Sequence, residues 1–350
     1  MNSTSRVERN SQIVLVNALP QTLDHYQQEF ETVVGLIPGF RVSEVITEKG
    51  DGQASLFSKL YAAINILAKR SLSYSGSADR MFIVMWPLFG YLDVLTWIRL
   101  ARKSPVIVII HDPVPLRAQI GYSSFSAKIL KMVSTLNNIH VLAHTQNAQE
   151  ALLVATGVSA SVAPHPLGAR AEKNSTVQAP GNCKTTVRIL GQYKEARSLD
   201  PIRAIAEGLH KNAFHLEIRG RGWTPQEGWT VVDRFLTAVD FDNSIRTADC
   251  VVIPYSRFYQ SGVAVRCLEA LVPIVGPRHP HLEELYGINW PGLVDEKTTW
   301  AEAVLNVTGR GYEKELQRLL DSAVENVSGS WKKLLNSKSD VSDTTKAELK

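Results

Sequence analysis

The sequence predicts an α/β protein built from two parallel sheets, each with helices on both faces. Three observations carry this expectation. Short β-branched apolar runs alternate with longer segments of near-helical apolar spacing, which is the pattern of βαβ units. The alternation lapses over residues 168–184 and then begins again. A chain of 350 residues also exceeds what one hydrophobic core ordinarily serves, so two domains are expected.

Residues 1–11 are polar and read as a flexible N-terminus. The first domain, 12–167, opens with a strand at Gln12–Ala18. A covering helix follows from Thr22 to Val34, with Leu23, Tyr26, Phe30, Val33 and Val34 at near-helical spacing. Phe40–Ile46 reads as a strand, Glu48 to Gly52 as a turn and Ser55–Leu72 as a helix. Met81–Met85 is the next strand, and a helix runs on through Arg102. Val106–Ile110 is the most β-branched run of this half. Ile139–His144 is a further strand, Thr145-Gln146-Asn147 starts the helix Ala148–Thr156, and 162–167 close the domain.

Polar residues 168–184 form the expected linker. The second domain, 185–310, restarts with Val187–Leu190 as strand, Asp200–His210 as helix and Phe214–Ile218 as strand. Trp229–Asp233 follows as a short strand, then Asp242–Thr247 as a helical connection. Cys250–Ile253 reads as a buried strand, Val263–Leu271 as a helix stopped by Pro273, and Ile274–Val275 as the next strand. Leu293–Val294 is a last short strand and Trp300–Leu305 a helix. Residues 311–335 read as a closing helical region and 336–350, which lack apolar periodicity, as a mobile tail.

Composition narrows the class. Hydrophobic residues at 44% and charged residues at 21% fit a soluble globular protein. A net charge of +4 is too slight to imply a nucleic-acid partner, yet suits an anionic ligand or lipid surface. Cys183, Cys250 and Cys267 have no metal-ligand spacing and imply no disulfide framework. The N-terminus lacks the apolar core of a signal peptide, and no apolar run reaches the roughly 18 residues of a membrane span, so a cytoplasmic protein is expected. Within Leu56–Leu72, Leu56, Leu60, Ile64 and Leu67 share a face, with Lys59, Lys69 and Arg70 elsewhere. Such a stripe either faces the core or lies on a membrane, here the inner face, as a peripheral contact.

Ligands of open α/β sheets bind beyond the carboxyl ends of strands, which makes His111 and Asp112 the candidates of the first half. An imidazole can bond a sugar hydroxyl while a carboxylate fixes its tautomer; the alternative is that Asp112 caps the turn before Pro113. In the second half, Pro254 to Gly276 reads as loop, helix and strand entry. Its helix start, at Ser261, Gly262 and Val263, leaves unpaired N–H groups suited to phosphate. Glu269 lies roughly 9 Å further along that helix, the scale of a diphosphate plus a ribose. There it either accepts from two vicinal hydroxyls or simply faces solvent. Lys194 and Arg197 follow the first strand of this half. Arg219 and Arg221 flank Gly220 after the next; alternation on an extended chain allows one of them to face a ligand.

The segment Gln260-Ser261-Gly262-Val263 through Glu269 to Val272-Pro273-Ile274-Val275 resembles the nucleotide-sugar motif of retaining GT-B glycosyltransferases, family 4-like, of the polysaccharide-assembling type. There a Glu, seven residues and a second Glu precede a small-Pro-Val strand entry. Glu269 matches the second Glu and Ser261 stands in place of the first. The pairing of Ala143-His144-Thr145 with Pro164-His165-Pro166 is similar to the same family. The resemblance implies two Rossmann-like domains facing across a cleft, an N-terminal acceptor domain and a C-terminal nucleotide-sugar domain. It implies a hexosyltransferase using a UDP- or GDP-sugar and a saccharide or lipid-linked acceptor, without metal or resident cofactor. His111 would sit near the donor sugar, Glu269 on the ribose, and Lys194 and Arg197 on the diphosphate. Gln192 replaces the family's Arg, and Asn17-Ala18-Leu19-Pro20-Gln21 replaces its Gly-rich loop. These departures keep open a binding or scaffold subunit that has lost catalysis and, less readily, a sugar-nucleotide epimerase.

Overall fold

The computed structural model describes residues 11–20, 22–48, 64–70, 73–115, 119–136, 138–168, 184–309 and 311–348. They form two compact units: unit 1 is Met1–Pro166 with Asn326–Lys350, and unit 2 is Leu167–Glu325.

The sheet of unit 1 contains β1 (Ser11–Asn17), β2 (Phe40–Thr47), β3 (Arg80–Val84), β4 (Val106–Ile109), β5 (Ile139–Ala143) and β6 (Ser161–Val162). Its order is β2-β1-β3-β4-β5-β6 and every pairing is parallel. Ile13–Val16 and Val106–Ile109 are buried along their whole length, as parallel strands covered on both faces must be. The helices are α1 (Asp24–Gly35), α2 (64–70), α3 (Ile98–Ala101), α4 (Ser124–Val133) and α5 (Gln146–Thr156). Thr145 caps α5, its Oγ1 accepting the Ala148 N–H at 3.1 Å.

Unit 1 departs from the sequence expectation in four places. The helix expected through Arg102 is a 3-10 helix, Gly90–Trp97, followed by the single turn α3. Its geometry is set by Asp93, whose carboxylate accepts from Phe89 N–H, Trp97 Nε1 and Arg70. Helix α4 lies where no element was expected; Ser123 caps it, and Ser126, Ala127, Leu130 and Val133 form its buried face.

Arg70, expected on the basic flank of an amphipathic helix, is instead buried. Its Nε and Nη2 donate to Glu48 at 2.9 and 2.6 Å, and its Nη1 to Asp93 at 3.0 Å. Burial alone would lower its pKa, but Asp93 and Glu48 outweigh it and the guanidinium is held more basic than usual. Ile64 and Leu67 of the expected stripe are exposed, while Leu56 and Leu60 lie outside the described residues. Finally, the segment expected as a tail from Asn336 is the end of the long helix α11 (Glu313–Glu348). No Gly or Pro interrupts residues 336–348, so nothing stops the helix there. Trp331 of that helix is fully buried in unit 1, 4.6 Å from the Phe30 ring, and donates to Pro164 O at 2.9 Å.

Unit 2 contains β7 (Thr185–Leu190), β8 (Phe214–Arg219), β9 (Thr230–Val232), β10 (Cys250–Val252), β11 (Ile274–Pro277) and β12 (Leu293–Val294). The order is β12-β11-β10-β7-β8-β9, again parallel throughout. Its helices are α6 (Asp200–Gly208), α7 (Ala238–Arg246), α8 (Gly262–Glu269), α9 (Pro280–Tyr286) and α10 (Trp300–Thr308). Helix α7 starts earlier than expected because Thr237 caps it. Cys250 and Cys267 are free, buried thiols, and burial raises both. Cys183 and most of the expected linker, 169–183, lie outside the described residues. Among the described residues no helix is long and apolar enough to cross a membrane.

Candidate functional site

Strand order locates the crevice of unit 2. From β7 the chain moves outward to β8, and from β10 it moves the opposite way to β11. The carboxyl ends of β7 and β10 are therefore the topological switch point, where open sheets take ligands. The loop after β7 carries Lys194 and Arg197; the loop after β10 ends in Ser261.

Backbone bonds fasten these two loops together. Arg197 and Tyr255 form an antiparallel bridge, Ser198 N–H donates to Pro254 O, and Ser256 N–H to Ala196 O, both at 2.8 Å. On the other side, Gly191 and Tyr193 N–H donate to Arg219 and Arg221 carbonyls at 2.9 Å. Gly220 permits that approach: its φ is +153°, and a Cβ there would stand 2.1 Å from Gly191 O.

Arg197 is 4% exposed. Its Nη2 donates to Leu190 O at 2.6 Å, and its guanidinium carbon lies 4.7 Å from the Tyr255 ring and 5.3 Å from the Trp223 ring. Nε has no partner, and no carboxylate pairs with the group among the described residues. Burial pulls its pKa down, and Tyr255 opposes that shift. A buried cation without a counter-ion is costly, and an anionic ligand would relieve that cost. Lys194, on the same loop, is exposed.

At the start of α8, Ser261 Oγ accepts the Ala264 N–H at 3.2 Å. The first-turn N–H groups of Gly262 and Val263 precede any intrahelical acceptor. Beyond its own helix and chain neighbours, no atom of the described residues stands within 4 Å of where a Gly262 Cβ would be, so the backbone there is open to approach. Glu269 closes α8 and is only 6% exposed, which removes the solvent-facing alternative.

Arg219 differs from Arg197. Its Nη2 meets Glu217 at 2.9 Å, and Arg188 Nε meets the other Glu217 oxygen at 2.6 Å. Burial pushes the Glu217 carboxyl up, but these bonds from Arg219 and Arg188 prevail and hold it low. The charge of Arg219 is thus already met by protein.

Sequence reasoning missed the aromatic walls Tyr255 and Trp223, and also His281. That histidine is buried beside the Ser261 backbone, its Nε2 has no partner among the described residues, and burial pulls it down to about 4. Phe258 stacks on its neighbour His279 at 3.8 Å.

In unit 1, His111 lies just beyond β4 and is buried. Its Nε2 donates to Met85 O at 2.7 Å and Trp86 stacks on the ring at 4.7 Å. His144 Nδ1 donates to Ala163 O at 2.8 Å, leaving Nε2 to accept from the Tyr26 hydroxyl at 2.7 Å. His165 packs 4.7 Å from the Tyr26 ring. The fold so gathers three imidazoles and a phenol at the carboxyl ends of β4, β5 and β6, with half-buried Asp112 beside them. Periodicity had marked His144 only as a strand end.

Two six-stranded parallel sheets of this kind define the GT-B fold, and solved GT-B glycosyltransferase structures match the chain. No family model and no curated protein matches it. An α,α-trehalose-phosphate synthase (UDP-forming) from Burkholderia xenovorans, in complex with glucose-6-phosphate, is 10% identical with a TM-score of 0.60, covering 93% of this chain and 99% of that one. The N-terminal domain of Candida albicans trehalose-6-phosphate phosphatase gives 9% identity and a TM-score of 0.63, over 97% and 99% of the two chains. A TarM variant of S. aureus, in complex with fondaparinux, alpha-GlcNAc-glycerol and UDP, gives 14% and 0.56, over 79% of this chain and 58% of that one. At these identities the likeness establishes the fold.

Proposed function

We propose that the protein is a glycosyltransferase that moves a hexosyl group from a nucleoside diphosphate sugar, UDP- or GDP-linked, to a saccharide or lipid-linked acceptor, with retention, in polysaccharide or glycolipid assembly. The observation that carries this reading is Arg197: a buried guanidinium, free of carboxylate partners among the described residues, at the switch point of an open parallel sheet. The neighbours' complexes with UDP and with glucose-6-phosphate support the same class of ligand.

In this reading the diphosphate meets Arg197, Lys194 and the N–H groups of Gly262 and Val263. As the sugar–phosphate bond breaks, negative charge grows on the departing β-phosphate. Prepositioned cations and amides stabilise that charge without reorganising, and no metal is needed. Glu269 accepts from the ribose hydroxyls, and Ser261, in place of a Glu, contacts the donor through its hydroxyl and backbone. Arg219, held by Glu217, positions the β8 loop. The family resemblance assigns His111 to the donor sugar, with Asp112 beside it.

Thermal melting with UDP, GDP, ADP and their sugars tests the proposal. A ligand at about 100 times its Kd adds about 2.7 kcal/mol to stability. A shift with one base that is lost in Glu269→Ala supports the transferase. No shift with any nucleotide would overturn it in favour of a scaffold subunit.

A further inference from the structure

The positive charge of the chain is concentrated. Between Val94 and Gln149 six Lys or Arg residues stand against one carboxylate, Asp112, so this stretch holds more net positive charge than the whole protein's +4. Helix α4 lies in the middle of it and has no acidic residue.

The outer face of α4 is not the polar face of an ordinary surface helix. Phe125, Lys128 and Met132 follow one another at helical spacing, within an arc of about 60° at roughly 100° per residue. All three are exposed, Phe125 at 68% and Met132 at 60%, and so is Leu136 just past the end of the helix. Ile120, in the loop leading into the helix, is 91% exposed. Lys131 extends to Gly157 at the end of α5, where Val154 is 88% exposed.

Single exposed apolar side chains need no explanation, but an apolar row interleaved with lysines does. The turn at Ile120–Gly121, just before α4, is also fixed in place. Gly121 adopts a φ of +92°, a Cβ there would fall 2.0 Å from Phe89 O, and Tyr91 N–H donates to Gly121 O at 2.9 Å. Ile120 is thereby presented from a fastened turn.

We infer that the outer face of α4, with Ile120, is a docking surface for an anionic lipid bilayer. Phe125, Met132 and Ile120 enter the headgroup–acyl boundary, and Lys128 and Lys131 meet lipid phosphates. The charge selects this occupant: a basic row between apolar side chains matches an anionic interface, whereas a purely apolar partner would leave both lysines unpaired. The surface deepens the proposed function and rests on it, since α4 follows β4, the strand that leads to His111. A lipid-linked acceptor would then arrive at the carboxyl end of that sheet.

Co-sedimentation of the full chain with vesicles tests this. The vesicles are phosphatidylcholine alone, or phosphatidylcholine with about a third phosphatidylglycerol. The wild type is expected to pellet with the anionic vesicles only, and less so in high salt. Phe125→Ser with Met132→Ser, and separately Lys128→Glu with Lys131→Glu, should each weaken partitioning about tenfold at unchanged melting temperature. Both pairs should keep the nucleotide-induced shift, and Glu269→Ala should still bind vesicles, so the two proposals fail independently. Absence of wild-type binding to anionic vesicles, or equal binding by both double variants, would overturn the inference. The first result would point to a protein partner instead.

Discussion

The Arg197 guanidinium carbon lies 4.7 Å from the centre of the Tyr255 ring, and the backbones of the same two residues are bridged. One residue therefore serves as both a wall and a fastening of the switch-point crevice, yet no carboxylate among the described residues balances its charge. For Arg197→Met we expect nucleoside diphosphate affinity to fall about tenfold or more, the loss of a charged hydrogen bond. The unliganded protein should stay within about 1 kcal/mol of wild type, because the variant also removes a buried charge. Titration calorimetry with chemical denaturation reads both numbers; lost stability at full affinity would make Arg197 structural.

Glu269 allows a sharper test of ribose contact. Glu269→Gln keeps shape and one acceptor oxygen but loses the charge. It should weaken the ribonucleotide by about tenfold and the 2′-deoxy form much less. Equal losses for the two nucleotides would place the carboxylate elsewhere.

Arg70 predicts a stability effect within unit 1. Arg70→Met leaves the Glu48 and Asp93 carboxylates buried without their cation. Breaking such a set costs about 3–5 kcal/mol. Arg70→Lys should recover part of that, since an ammonium meets the charge but not the fork geometry. Urea unfolding of the three proteins checks the order.

His281 sets an acid limb. Burial, with nearby His279, lowers it from 6.5 to about 4 in the folded chain. The unfolded chain then binds a proton that the folded chain refuses. Its contribution is full above pH 6.5 and is lost as pH falls toward 4, to about 3 kcal/mol at most. His140, also lowered to about 4, chiefly by burial, acts in the same direction. His281→Gln should flatten the dependence of the urea midpoint on pH between 6.5 and 4; an unchanged slope would exclude His281 as a source.

Much of the fold was legible because parallel strands buried on both faces read as unbroken β-branched runs, as in Val106–Ile109. Helix α4 was illegible for the opposite reason: Phe125 and Met132 on its outer face blur the contrast between faces on which periodicity depends. Arg197 stood out in the sequence, but its burial did not, because that follows from the order of β7 and β10. The pairing of Arg219 with Glu217 was there to read, since residues two apart on a strand share a side. Arg70 was misread because its two carboxylates come from Glu48 and Asp93, one on either side of it in the chain and outside its own helix.

Unit 1 borrows Trp331 from the far end of the chain, and that ordering has a consequence during synthesis. While the ribosome makes residues 1–166, the indole that packs on Phe30 does not yet exist, whereas unit 2 is one continuous stretch. The sheet of unit 1 is thus translated before unit 2 but completed after it, and until residue 331 emerges its face around Phe30 is apolar surface of the kind that chaperones hold.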